Sequence, residues 1–131
     1  MMDTARLRIR LSAMKNRPLR ERLGFALAGI RIVWRREASF RTQCGLAVVA
    51  AAVTAALRPG WVWAALIALS VALVLLLEMV NAAIEYVIDR LHPDRHDEIM
   101  FAKDAAAGAV LLASFASLVI GGLMLLSVLL S

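Results

Sequence analysis

The chain has 131 residues, of which 62% are hydrophobic and 19% charged, with a formal net charge of +5. Its mean hydropathy of +0.77 and its apolar share lie far above those of an ordinary soluble domain, and the length leaves room for one small domain. The apolar residues fall in long blocks, which excludes a soluble core with charge interleaved along its helices and points to membrane-spanning segments.

Residues 1–17 read as a basic arm, with Arg6, Arg8, Arg10, Lys15 and Arg17 but no apolar stretch before Leu23. A cleaved signal peptide is therefore not expected. Within the arm, RLRIRL (Arg6 to Leu11) fits either a short strand or a disordered segment drawn to anionic lipid. From Pro18 to Arg36, the residues Leu23, Ala26, Leu27, Ile30, Val33 and Trp34 recur at helical spacing, with Arg20, Arg31 and Arg35 largely opposite. That pattern predicts an amphipathic helix on the membrane surface over about 18–36. Pro18 suits its start, because a helix's first backbone donors have no internal partner.

Three apolar blocks follow. Thr42 to Leu57 is uncharged over 16 residues, Trp61 to Leu77 is uncharged, and Ala105 to Ser131 carries no charge. A hydrocarbon core of about 30 Å takes roughly 20 helical residues, so the expected spans are 40–58, 61–88 and 103–130. The first is extended by its flanks, with Arg41 and Arg58 snorkelling to the interfaces. Cys44, the single cysteine, has no intramolecular partner and reads as a small packing residue. Of the 15 Lys and Arg residues, 11 lie between Met1 and Arg41. The positive-inside rule then places the N-terminus in the cytoplasm. The turn Arg58-Pro59-Gly60 lies outside, the Asp89 to Asp104 loop inside and Ser131 outside. Membrane topology accounts for the arginines, and no nucleic-acid partner is expected. In the third block, Ala105, Gly108, Ala109 and Ala113 stand at helix-contact spacing, where small side chains let another helix approach.

Span two ends in LEMVNAAIEYVIDR (Leu77 to Arg90), which places Glu78, Asn81, Glu85 and Asp89 on one helical face within an arc of about 80°. Glu78 lies deepest in this stripe, and Glu85 and Asp89 approach the cytoplasmic interface. The topology brings Glu37, Lys103 and Asp104 to the same level. An ionisable side chain at the bilayer centre costs about 2.5 to 3.5 kcal/mol, so these carboxylates need partners or a purpose. The structural alternative is pairing with arginines such as Arg36 or Arg41, or with a neighbouring protomer.

The residue types suit phosphoryl transfer. Glu37 and Glu85 offer oxygen ligands for Mg2+, which commonly takes one or two carboxylates together with phosphate oxygens. Lys103 can neutralise phosphate charge. Glu78, buried at lipid depth, can accept a proton from a hydroxyl there. No GxxxxGK[ST] loop, GxGxxG, HRD or DFG element is present, so nucleotide would be held by metal and basic side chains. His92 and His96 flank the HPDRHDE loop and read as solvated residues, with no zinc cluster. A small ion- or proton-conducting bundle is the alternative of another class, since Glu78 and Glu85 would also be natural there. It does not explain why Lys103 and the carboxylates gather on one side.

The segment E-x-x-N-x-A-I-E-x-x-x-D (Glu78, Asn81, Ala83, Ile84, Glu85, Asp89), with WRREASFRTQ (Trp34 to Gln43) and AKDAAAGAVLL (Ala102 to Leu112), resembles the prokaryotic diacylglycerol kinase family, which includes the undecaprenol kinases. The resemblance extends over nearly the whole chain from Gly24. It implies an all-α integral membrane homotrimer with three transmembrane helices and an amphipathic surface helix per protomer, in the bacterial inner membrane. The implied activity is transfer of the γ-phosphate of Mg-ATP to the hydroxyl of diacylglycerol, giving phosphatidic acid, with undecaprenol as the alternative acceptor. By position in the motifs, Glu78 matches the catalytic base, and Glu37 and Glu85 match the metal ligands. Asn81 and Lys103 match nucleotide or phosphate contacts, and Asp89 and Asp104 match polar supports of the ATP site. The family's active sites are shared between protomers, so Glu37 need not face Glu85 of its own chain. Two positions depart from the diacylglycerol kinase pattern. Gln43 stands where a second carboxylate is common, and Ala107 with Gly108 replaces a serine-containing pair in a spelling closer to the undecaprenol kinases.

Overall fold

The computed structural model describes residues 17–94 and 96–131, and among these the regular structure is entirely helical: α1 (Leu19–Arg36), α2 (Ala38–Leu57), α3 (Trp61–Leu91) and α4 (Asp97–Leu129). The basic arm expected over 1–17 lies outside the described residues except for Arg17. The residues divide into two compact units, one ending at Ile32 and the other running from Val33 to Ser131.

In the first unit the chain enters α1 at Pro18, whose carbonyl accepts the backbone N–H groups of Glu21 (3.0 Å) and Arg22 (3.2 Å). Arg17 Nη1 donates to Glu21 Oε2 at 2.8 Å, and its guanidinium sits 5.6 Å from the ring centroid of Phe25. An exposed ion pair of this kind contributes only up to about 1 kcal/mol, so it marks the helix start more than it stabilises it.

The second unit begins with the last turn of α1. One residue, Glu37, interrupts the helical path in extended conformation (φ −101°, ψ 110°), and α2 starts at Ala38. Arg41 reaches back from the first turn of α2 to the carbonyls of Trp34 (2.8 Å) and Arg35 (3.3 Å). A helix C-terminus leaves such carbonyls without internal partners, so Arg41 caps α1. Its guanidinium therefore has a backbone role in addition to the interfacial one expected for it.

The Arg58-Pro59-Gly60 turn closes α2 and opens α3. Arg58 ends α2 in the left-handed region (φ 48°, ψ 55°), its N–H donating to Thr54. Gly60, at φ 95°, supplies a backbone conformation that other residues rarely adopt. At the other end, α3 stops because His92 precedes Pro93, and the residue before a proline is pushed out of helical conformation. Asp97 and Glu98 occupy the first turn of α4, where the helix dipole favours negative charge.

Helices α2, α3 and α4 are each long and apolar enough to cross a membrane, as expected of an all-α membrane bundle. At about 1.5 Å per residue, α3 and α4 are nearly 50 Å long, well beyond a hydrocarbon core of about 30 Å. The expected spans stop at 88 and resume at 103, while the helices themselves continue to Leu91 and begin at Asp97. The expected Asp89 to Asp104 loop is accordingly only the short connection after Leu91. Backbone hydrogen bonding, unlike hydropathy, does not stop at the membrane edge.

Helix α3 packs against both α2 and α4, more extensively against α4. Ser70 donates to the Ile67 carbonyl (3.0 Å), which spends its proton, so Ser117 of α4 donates to Ser70 across the 3.1 Å gap. Near the opposite end of α3, Val33, Phe40 and Ala82 form a small buried cluster covered by Cys44, Leu75, Met79 and Tyr86. This cluster fixes the start of α2 against the polar end of α3. Cys44 is a packing residue there, as its sequence context implies. Most large apolar side chains on the three long helices remain exposed, including Leu69, Leu111 and Leu118. Lipid tails or neighbouring chains meet such surfaces in membrane bundles.

Candidate active site

The stripe on α3 is graded in burial. Glu78 is buried, with 6% of its surface exposed; Asn81 and Glu85 are half-buried, and Asp89 is exposed. The first turns of α2 and α4 supply partners to this stripe. Ser39 Oγ donates to Glu78 Oε2 at 3.0 Å. Lys103 Nζ pairs with Asp89 Oδ1 at 2.5 Å. Within the stripe, Asn81 Nδ2 donates to Glu85 Oε1 at 3.2 Å, one turn along the same face. Asn81 Oδ1 is buried without a hydrogen-bond partner. Such an acceptor carries a desolvation cost unless something donates to it.

Glu37, at the break between α1 and α2, accepts a hydrogen bond from Tyr86 Oη through its Oε1 at 2.5 Å. The Arg36 guanidinium lies 5.6 Å from the Tyr86 ring centroid, within cation–π range. Glu37 and Glu85 thus hold separate partners, joined through neighbouring residues of α3. Asp104 is exposed, next to Lys103 on the first turns of α4. His92 and His96 are both exposed at the ends of the loop.

Pairing of the stripe with Arg36 or Arg41 is not what the chain adopts. Arg36 lies on an aromatic ring and Arg41 on two carbonyls, and the described ion pairs are Arg17 with Glu21 and Lys103 with Asp89. Glu78 has a neutral hydroxyl as partner. Two participants were not singled out from sequence, Ser39 and Tyr86. Both are ordinary polar residues in their segments, and only the packing of α2 on α3 brings them to carboxylates. Ser39 shares the start of α2 with Arg41, Thr42 and Gln43, so polarity by itself does not single it out.

Among the described residues, no three of His, Cys, Asp and Glu gather closely enough to enclose a metal ion. Glu37 and Glu85 each accept a hydrogen bond through Oε1 only, so each would have its other oxygen to offer a magnesium ion whose remaining ligands are phosphate and water oxygens. A cleft of about 530 Å³ opens between α2, α3 and α4, lined by Gln43, Val53, Val74, Leu75, Ser114 and Leu118 among others. Its Gln43 and Leu75 end lies one helical turn from Ser39 and Glu78. Glu78 thus lies one turn from an apolar cleft, while Lys103, Asp89 and Asp104 lie toward the more exposed end of the stripe.

Residues 24–125 match the family model for prokaryotic diacylglycerol kinase. Among curated proteins, the diacylglycerol kinase of Synechocystis sp. is 40% identical over 110 residues, covering 82% of this chain and 62% of that protein. The diacylglycerol kinase of Escherichia coli K12 is 40% identical over 91 residues, covering 69% of this chain and 74% of that protein. That of Haemophilus influenzae is 34% identical over 89 residues, covering 68% and 75%. The chain thus spans less than two thirds of the Synechocystis relative. With a match that includes the whole acidic stripe, the start of α2 and the first turns of α4, this three-span helical chain belongs to the prokaryotic diacylglycerol kinase family.

Proposed function

We propose that the protein is a lipid kinase of the inner membrane of a bacterium, transferring the γ-phosphate of Mg-ATP to the hydroxyl of diacylglycerol to give phosphatidic acid. The observation that carries this reading is Glu78, a carboxylate buried on a helix long and apolar enough to cross a membrane and held by a neutral hydroxyl. A buried carboxylate in a span is a functional group by default. In this reading the apolar cleft one turn away would receive the acceptor, and the polar residues of the stripe would face the nucleotide.

In the proposed reaction Glu78 takes the proton of the lipid hydroxyl as the hydroxyl oxygen bonds to the γ-phosphorus. The bond from that phosphorus to the bridging oxygen breaks, and ADP leaves. Glu37 and Glu85 would hold magnesium, which when bound screens the charge of the phosphate oxygens. Lys103, placed by Asp89 and beside Asp104, offers the positive charge of the site to phosphate. Asn81 orients Glu85 through its amide and keeps an acceptor free for a donor in the complex. In this reading α1 is a surface helix of the cytoplasmic leaflet with Arg20, Arg31 and Arg35 available to phosphate headgroups, and the working unit is a homotrimer with sites shared between protomers.

The test is transfer of labelled γ-phosphate from Mg-ATP in mixed micelles containing diacylglycerol or, in parallel, undecaprenol. Label on diacylglycerol, lost in Glu78→Gln, is the expected result. Label on undecaprenol alone would reassign the acceptor. Label on neither, with folded protein, would overturn the kinase reading.

A further inference from the structure

We infer that Ser39 is the positioning residue for the base, holding one oxygen of Glu78 so that the other faces the acceptor hydroxyl. This rests on the reading of Glu78 as the base. Glu78 is buried and has a single side-chain hydrogen-bond partner among the described residues, the Ser39 hydroxyl at 3.0 Å on Oε2. A carboxylate turns about its last side-chain bond, so an unheld base presents its oxygens in a spread of directions. One fixed oxygen removes that freedom. Since Ser39 takes Oε2, Oε1 is the oxygen left to receive a proton.

The geometry also ties the base to the rest of the site. Ser39 lies on the first turn of α2, two residues after Glu37. Phe40, its neighbour in sequence, is buried in the cluster with Val33 and Ala82. The same cluster therefore anchors the turn that carries Ser39 and the helix face next to Glu78. Ser39 is exposed as a residue and is not a member of the cluster of Val33, Phe40 and Ala82, so its replacement leaves that cluster intact. A purely structural role predicts small, uniform effects; a positioning role predicts loss of turnover without loss of binding.

The experiment compares Ser39→Ala, Ser39→Thr and Ser39→Val in the transfer assay, with KM for ATP and for lipid measured separately from kcat. Threonine and valine have the same shape and differ in the hydroxyl. A hydrogen bond to a charged group corresponds to a factor of roughly 10 to 100, so kcat is expected to fall by about that much in Ser39→Ala and Ser39→Val. Both KM values should hold, and Ser39→Thr should recover most of the turnover. Near-native kcat in Ser39→Ala and Ser39→Val, or equal losses in Ser39→Thr and Ser39→Val, would overturn the inference. Glu78→Gln is run alongside: if it keeps turnover, the base reading itself fails, whereas an inactive Glu78→Gln with an active Ser39→Ala removes only the role of Ser39.

Discussion

Glu78, Glu85 and Glu37 are chemically alike, and their surroundings differ. Glu78 is buried with one hydroxyl partner, Glu85 is half-buried and held by an amide, and Glu37 stands at a helix break and accepts from a phenol. If Glu78 is the base, as proposed, replacing it by Gln is expected to lower turnover by about 10² to 10⁴, the usual range for a general base. Binding of ATP, measured by equilibrium titration, should change little. Glu37→Gln and Glu85→Gln are expected to behave differently, raising the magnesium concentration needed for half-maximal rate and weakening ATP binding together. Unchanged magnesium dependence in both variants would remove them as ligands.

At the scale of the helices, the polar groups assemble because three element ends converge on the end of α3. The break at Glu37 starts α2 beside the stripe, and the short connection after Leu91 returns α4 so that Lys103 reaches Asp89. The opposite end depends on the turn at Gly60, where φ is +95° and nothing lies within 4 Å of an added Cβ. A side chain there meets only backbone strain. Gly60→Ala is therefore expected to destabilise by about 1 kcal/mol, read as a lowered midpoint of thermal unfolding in detergent, with kcat unaffected because the turn is far from the stripe. An unchanged midpoint would show that the turn relaxes.

For the whole molecule, three apolar helices with so much exposed leucine and valine call for lipid or further protein surface around them. The trimer reading predicts a protein mass of three chains by light scattering corrected for detergent. Three crossings also place the two chain ends on opposite sides of the membrane. With Cys44→Ser as background, a cysteine at position 131 should react with an impermeant maleimide from the outer side of intact cells, and one in the basic arm should not. Labelling of both ends from one side would contradict the three-span topology.

The helical class, the three spans, the tight turn at Arg58-Pro59-Gly60 and the acidic stripe were all legible in the sequence, because each follows from local rules of apolar length, backbone preference and helical period. The motif spacing carried the family. Boundaries were less legible: hydropathy marks where a helix leaves lipid, not where its hydrogen bonds end, so α3 and α4 run beyond the apolar blocks. The pairings of Ser39 with Glu78, Tyr86 with Glu37, Lys103 with Asp89 and Arg41 with the end of α1 came only from tertiary structure. The first two join residues 39 and 49 positions apart. No local rule relates such residues, and only the packing of α2 against α3 around Phe40 and Ala82 decides which carboxylate receives which donor.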